Sequence, residues 1–267
     1  MWSANGFFWS GNFSMALGRA LSSGGSLVLQ STFDAGEALS LMEREKATFL
    51  NAWPHQWEQL TGAPGWASGE WLITTGLGSV ARYRPALGES DFLARGFDRL
   101  MGIATSDSGA VLFAEMGTGR VHLVEGDAVR PSAEGLDQPM GIALQGHTAY
   151  IAEAGAGRIA RLRQGSPVDT LAEGLGRPEG LCLSGGKLYA VDTAGKRLLE
   201  IDPESGAVAT IASNLPVGAP PGVVPKFLGP IGDMSGPMIN FADIACGPDG
   251  SLYVSADGEG SVLAFRT

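Results

Sequence analysis

The chain is poor in positive charge and in cysteine, and it has no long apolar run. Its 18 Lys and Arg residues are outnumbered by 28 Asp and Glu residues, which gives a net charge of −10. No basic cluster is present to follow a phosphate backbone, so we expect no nucleic-acid partner. No segment approaches the roughly 18 apolar residues of a membrane helix, and the N-terminus lacks the pattern of a signal peptide. We therefore expect no membrane contact and a cytoplasmic location.

Cysteine and histidine are too sparse to indicate a reaction. Cys182 and Cys246 lie in apolar runs that read as strands, which is typical of buried reduced thiols. His55, His122 and His147 show no metal-ligand spacing and no arrangement with Ser and Asp that predicts nucleophilic catalysis. The sequence therefore assigns no catalytic residue.

Glycine, by contrast, is abundant, and it marks a repeat. The chain has 40 Gly residues, which predicts many tight turns and a mainly β fold. Gly102, Gly141 and Gly180 follow one another at intervals of 39 residues, each at the start of a short apolar run. Four strand-like segments fill each interval, and a period near 40 with four short strands is typical of a β-propeller blade.

The repeat occurs about five times. Three copies are complete, and a further copy, "FADIACGPDGSLYVSADGEGSVLAFRT", stops after three strands. A first copy begins at "EWLITTGLGSVARYR" and lacks its innermost strand. We therefore predict a propeller domain over residues 67–267, interrupted by an insertion over residues 214–241.

The repeated pattern, P-x-G-(I/L)-A followed by LY-(V/A)-(A/V)-(D/E) and G-x-(I/V), resembles NHL repeats. It is also similar to the six-bladed, TolB-like propellers of the SMP-30/gluconolactonase type. In lactonases of that type, Glu, Asp and Asn side chains hold a divalent cation at the mouth of the channel. The resemblance implies calcium or zinc here. However, "RPEG" stands where those enzymes often have "PNG".

Two acidic residues depart from the repeat where inner strands begin. Glu179 aligns with Met101 and Met140, and Asp243 replaces the repeated glycine. We expect both to face the central channel. The hypothesis that follows is a cation or polar-ligand site made by Glu179 and Asp243 with Asp192.

A second acidic set has a structural alternative. Glu115, Glu153, Asp192 and Asp257 each follow the second strand of a copy. A carboxylate at a turn accepts backbone N–H groups, so the set is interpreted first as a repeated turn cap and only second as a metal ring.

The insertion is rich in Pro and Gly and carries little charge. Long loops of this kind are often lids or binding loops, and the alternative is a plug over an incompletely closed channel. Phe227, Asp233 and Met234 are its candidate ligand or lid residues.

Residues 1–66 follow a different pattern, in which helices alternate with short strands. "FFWSGNFSMALGRALSSGGSLVL", "FDAGEALSLMEREKATFL" and "WPHQ" resemble an internal piece of AMP-forming acyl-CoA synthetases. The phosphate loop, the "TGD" aspartate and the catalytic lysine region of those enzymes are absent. We therefore expect a small α/β fragment that does not adenylate alone, a remnant or one part of a split or truncated synthetase, with the remainder as a partner.

Three functions remain open from the sequence. The first is a non-catalytic propeller that binds a small molecule or a protein. The second is a metal-dependent lactonase-like hydrolase. The third is a piece of an acyl-CoA synthetase–propeller fusion whose catalysis lies elsewhere.

Overall fold

The structure is a computed structural model. It describes residues 2–3, 28–29, 33–44, 50–51, 59, 71–75, 78–84, 89–106, 109–126, 128–220, 222–223, 241–247 and 249–266. The chain forms two compact units, Met1–Trp71 with Arg82–Asp91, and Leu72–Ala81 with Phe92–Thr267. The predicted boundary between residues 66 and 67 stays a prediction.

The first unit contains short parallel strands and a helix. Strands β1 (Trp2–Ser3), β2 (Val28–Leu29) and β3 (Leu50–Asn51) form a sheet in the order β2-β1-β3. Helix α1 (Ala35–Arg44) lies between β2 and β3 in sequence, and Asp34 caps it, because its Oδ1 accepts the Glu37 N–H at 2.8 Å. The order strand, helix, strand over "SLVLQ", "FDAGEALSLMEREKA" and "TFLNA" predicts a βαβ unit with a parallel pair. In the structure β1 separates β2 from β3, and each of them pairs in parallel with β1.

The rest of the chain is mainly β and forms a propeller of five blades. Blades 2, 3 and 4 have four antiparallel strands each, ordered from the innermost to the outermost as they occur in the sequence. Blade 2 consists of β7 (Leu100–Thr105), β8 (Val111–Glu115), β9 (Arg120–Glu125) and β10 (Ala128–Ala133). Blade 3 consists of β11 (Pro139–Gln145), β12 (Thr148–Glu153), β13 (Arg158–Arg163) and β14 (Asp169–Ala172). Blade 4 consists of β15 (Pro178–Ser184), β16 (Lys187–Asp192), β17 (Arg197–Ile201) and β18 (Val208–Ala212).

The first and last blades each have three strands within the described residues. Blade 1 consists of β4 (Trp71–Thr74), β5 (Ser79–Arg84) and β6 (Glu89–Arg95). Blade 5 consists of β19 (Ile244–Cys246), β20 (Leu252–Ala256) and β21 (Ser261–Phe265). The absence of an inner strand in the first copy and of an outer strand in the last stays a prediction, because residues 60–70 and 267 lie outside the described part of the chain. The six-blade count implied by the resemblance is not found there, where five blades are seen.

The repeated glycines allow neighbouring inner strands to approach closely. A Cβ atom on Gly102 would lie 2.5 Å from the carbonyl oxygen of Met140 in the next blade, and one on Gly180 would lie 2.7 Å from the Cα of Asp243. Only a residue without a side chain fits such a gap, which explains the 39-residue glycine period. In blade 5, Asp243 occupies the position that glycine holds in blades 2 to 4. Blade 5 is the last blade with a described inner strand, so this side chain lies at the edge of the row of described inner strands.

Apolar side chains fill the space between successive blades. One cluster joins blade 3 to blade 4 through Tyr150, Ile159, Leu188 and Leu199, all 2% exposed or less. Similar clusters join blades 2 and 3 and blades 4 and 5. No helix among the described residues is long and apolar enough to cross a bilayer.

Candidate ligand site at the inner strands

A cavity of about 300 Å³ lies among the inner strands of the propeller. Residues from blades 1 to 5 form its wall: Thr74, Met101, Gly102, Ile103, Gly141, Ile142, Leu181, Phe241, Asp243 and Ile244. Most of its side chains are apolar, with the Thr74 hydroxyl and the Asp243 carboxylate as the polar ones, while more of the exposed cavity surface is polar than apolar. The Thr74 hydroxyl donates to the Met101 carbonyl at 2.9 Å. Asp243 is therefore the one ionisable side chain among the described residues of this wall.

Asp243 keeps one carboxylate oxygen available. Its Oδ1 accepts the N–H of Ile244 at 2.8 Å, and its Oδ2 has no hydrogen-bond partner in the described part of the chain. Asp243 as a residue is exposed, but the protein around its carboxyl group removes part of the hydration of that group. This loss of hydration raises its pKa, and the Ile244 amide opposes the rise. The predicted position of Asp243 at the inner strands is confirmed.

Glu179 is brought next to Asp243 but is fully engaged. Its Oε1 accepts from Arg177 Nε at 2.9 Å and its Oε2 from the Ala242 amide at 3.0 Å. The side chain is buried, and burial raises its pKa against the opposing effect of these donors. Arg177 also donates to Gln138 Oε1 at 2.9 Å. Glu179 thus ties blades 3, 4 and 5 together and fixes the residue that precedes Asp243.

Asp192 is engaged in a turn instead. Its Oδ1 accepts the amides of Arg177 and Gly195 at 2.8 and 2.9 Å, and Arg197 Nη2 lies 2.6 Å from its Oδ2. The side chain is completely buried. Burial alone would raise its pKa, yet these donors hold the pKa below the usual value. The cap interpretation is therefore confirmed for Asp192.

The same contact recurs in the preceding blades. Glu115 Oε1 accepts the Asp98 amide at 2.8 Å, and Glu153 Oε2 accepts the Asp137 amide at 2.8 Å. In blades 2, 3 and 4 the carboxylate at the end of the second strand therefore holds the loop that precedes the inner strand. From the sequence, these carboxylates are predicted to bond to the turn that follows the second strand. The bond that all three share is instead to the loop that precedes the inner strand. His122 is also satisfied, because its Nε2 lies 2.8 Å from Glu115 Oε2.

Asp257 makes the same kind of contact and so confirms the cap interpretation, but strand pairing places it one residue beyond the position of Glu115. Strand pairing places Glu115 opposite Arg120, and it places Ala256, not Asp257, opposite Ser261. Asp257 Oδ1 accepts the Gly218 amide at 2.6 Å, and its Oδ2 is buried without a hydrogen-bond partner among the described residues. The G-x-G turn motif alone does not fix the register of the strands. The sequence alignment therefore matches Asp257 with Glu115, whereas strand pairing matches Ala256 with Glu115.

The three predicted metal ligands do not form a metal site within the described residues. Both carboxylate oxygens of Glu179 and both of Asp192 accept hydrogen bonds from the protein. Of these three side chains, only Asp243 therefore has a free oxygen, its Oδ2, that could bind a metal. No group of three or more His, Cys, Asp or Glu side chains with suitable spacing occurs in the described part of the chain. A cation bound at Asp243 would need further donors from elsewhere, and the metal hypothesis stays a prediction.

The other candidate residues have mixed outcomes. Phe227, Asp233 and Met234, like His55, lie outside the described residues. Phe241, Thr74 and Met101 line the cavity, and the sequence interpretation did not select them. For Met101 the sequence did carry a signal, because Met101 aligns with Glu179 and both precede the repeated glycine.

The comparisons with known proteins identify the fold. No protein-family model matches the chain, and no curated protein matches it. A catalytically inactive virginiamycin B lyase from Staphylococcus aureus, solved with quinupristin, is similar over 75% of this chain, with 16% identity and a TM-score of 0.54. The match spans 64% of the lyase, which is less than two thirds of its length.

Two further solved structures show the same architecture. A gluconolactonase from Xanthomonas campestris matches 73% of this chain and 71% of its own, with 17% identity and a TM-score of 0.52. A chain of a nidogen/laminin complex matches 74% of this chain and 79% of its own, with 14% identity and a TM-score of 0.53. These similarities show that the chain has a β-propeller fold, as the gluconolactonase and the lyase do. They give no support to the acyl-CoA synthetase resemblance of residues 1–66.

Proposed function

We propose that this propeller binds a small molecule in the cavity at its inner strands. The observation that carries the proposal is the free oxygen of Asp243 in a cavity of about 300 Å³ whose lining side chains are otherwise mostly apolar. A concave apolar site with few polar groups is the usual form of a ligand site, and the polar group fixes the orientation of the ligand. Binding here needs no metal and no catalytic group.

The test is a binding screen with a variant that fills the cavity. We expect small molecules that raise the melting temperature of the native chain, with affinities confirmed by calorimetry. Met101→Trp places an indole in the cavity and should abolish these shifts. Val208→Trp is the matched control, since Val208 lies on β18 and is 43% exposed. Equal ligand shifts in both variants would place the ligand elsewhere.

A lactonase-like hydrolase is the second candidate, favoured by the structural similarity to a gluconolactonase. The raised pKa of Asp243 suits a general base or acid better than an ordinary carboxylate does. The test is turnover of gluconolactone in added calcium or zinc and again after chelation. Turnover that is lost in Asp243→Asn would establish this candidate over simple binding.

A further inference from the structure

We infer that the cavity selects an organic cation, a ligand with an ammonium group attached to a compact apolar body. This rests on the proposed function and names its ligand class. The argument depends on the charges that face the cavity, on the chemistry of its wall, and on the position that Asp243 takes in the repeat.

Among the described residues that line the cavity, Asp243 carries the one charge, and that charge is negative. No Lys, Arg or His is among the described residues that line it. Arg177 is the basic side chain nearest in sequence to Glu179, and its contacts are with Glu179 and Gln138, not with Asp243. A carboxylate that is partly dehydrated and lacks a counter-ion gains most from a cationic ligand. The chain as a whole, at −10, also attracts cations.

The wall suits the body of such a ligand. Met101 and Phe241 line the cavity together with Ile103 and Ile142. Aromatic faces attract ammonium groups, and the apolar groups favour the alkyl substituents that a hydrated metal ion lacks. A small inorganic cation would find a single free oxygen here, which is too few donors for calcium. The same wall therefore favours an organic cation over a metal ion.

The position of Asp243 indicates that its charge is not needed for the fold. The preceding blades have glycine at this position, and Asp243 Oδ1 makes only the local bond to Ile244. The capping carboxylates of the other blades, in contrast, accept several donors each. The free oxygen of Asp243 is therefore available to a ligand, and a cationic ligand gains from pairing with it.

The experiment compares choline with dimethylbutanol, its neutral isostere in which carbon replaces the quaternary nitrogen. Calorimetry at mildly alkaline pH keeps Asp243 ionised. We expect the native chain to bind choline at least tenfold more tightly than the isostere. Asp243→Asn should remove most of this preference while keeping an acceptor for the Ile244 amide. Glu173→Gln, which neutralises an exposed carboxylate outside the cavity, is the matched control and should bind as the native chain does.

The possible outcomes separate the inference from the proposed function. Equal binding of choline and the isostere, with both lost in Met101→Trp, would overturn the cation inference and leave the ligand site intact. Binding of neutral lactones alone would do the same. Failure of every probe, charged or neutral, would overturn both. Because the choline preference is measured on the native chain, it remains decisive even if Asp243→Asn does not fold.

Discussion

Glu179 and Ala242 are joined across blades 4 and 5, where the Ala242 amide donates to Glu179 Oε2 at 3.0 Å. The bond spans 63 residues of sequence and ends one residue before Asp243. Glu179 is therefore connected to the candidate site through the backbone, and it is not among the residues that line the cavity. It is a positioning residue for Asp243.

Glu179→Gln should weaken both the fold and the site. The amide has one acceptor oxygen, so either Arg177 or Ala242 loses its partner inside the protein. We expect the unfolding free energy to fall by about 1–3 kcal/mol. The measurement is urea denaturation followed by the β-sheet circular dichroism signal, with Glu173→Gln as the exposed control. An unchanged midpoint would contradict the bridging role of Glu179.

Asp192 should make the fold sensitive to acid. Its folded pKa is lowered, so its stabilising contribution is fully present above the usual value of 3.8 and is lost as the pH falls through the lower folded value. Asp192→Asn should lower stability at neutral pH and flatten the stability profile in acid. Denaturation midpoints measured across the acid range test this, with Glu204→Gln as an exposed control.

The repeat was predictable from the sequence because close packing dictates it locally. The inner strands of blades 2 to 4 need a glycine where the inner strand of the next blade lies close by. The spacing of Gly102, Gly141 and Gly180 therefore predicts the propeller architecture directly. The strand order inside blades 2 to 4 follows from the same period. At these glycines, the spacing in the sequence directly reflects the contacts between neighbouring inner strands.

The candidate site was only partly predictable because its chemistry depends on distant partners. The departure of Asp243 from the glycine position was visible in the sequence. The engagement of Glu179 was not, since its partner Ala242 lies beyond the long insertion. Asp257 was misplaced by one residue because a turn motif can shift along a strand, and only the pairing of Ala256 with Ser261 fixes the register.

Gly141→Ala should test how tightly the inner strands pack. A Cβ atom here would contact the Glu179 carbonyl oxygen and lie 2.8 Å from the Leu181 nitrogen, and both are backbone atoms that cannot move aside cheaply. We expect a loss of about 1–3 kcal/mol of unfolding free energy, as for overpacked cores. Gly36→Ala is the contrast. Its Cβ would lie 3.6 Å from an Asp34 oxygen, an ordinary contact, so its effect should stay below about 1 kcal/mol and favour the helix.

The two cysteines should be slow to react in the native chain. Cys182 and Cys246 are free thiols, half-buried in the cluster between blades 4 and 5. Burial, followed by the hydrogen bond to Cys246, raises the pKa of the Cys182 thiol, and the thiolate is the reactive form. With a disulfide reagent at mildly alkaline pH, we expect Cys182 to react at least tenfold more slowly than a free thiol, and both cysteines to react at once in denaturant. Cys246→Ser isolates the Cys182 rate, and rapid native modification of that variant would contradict the buried environment assigned to this thiol.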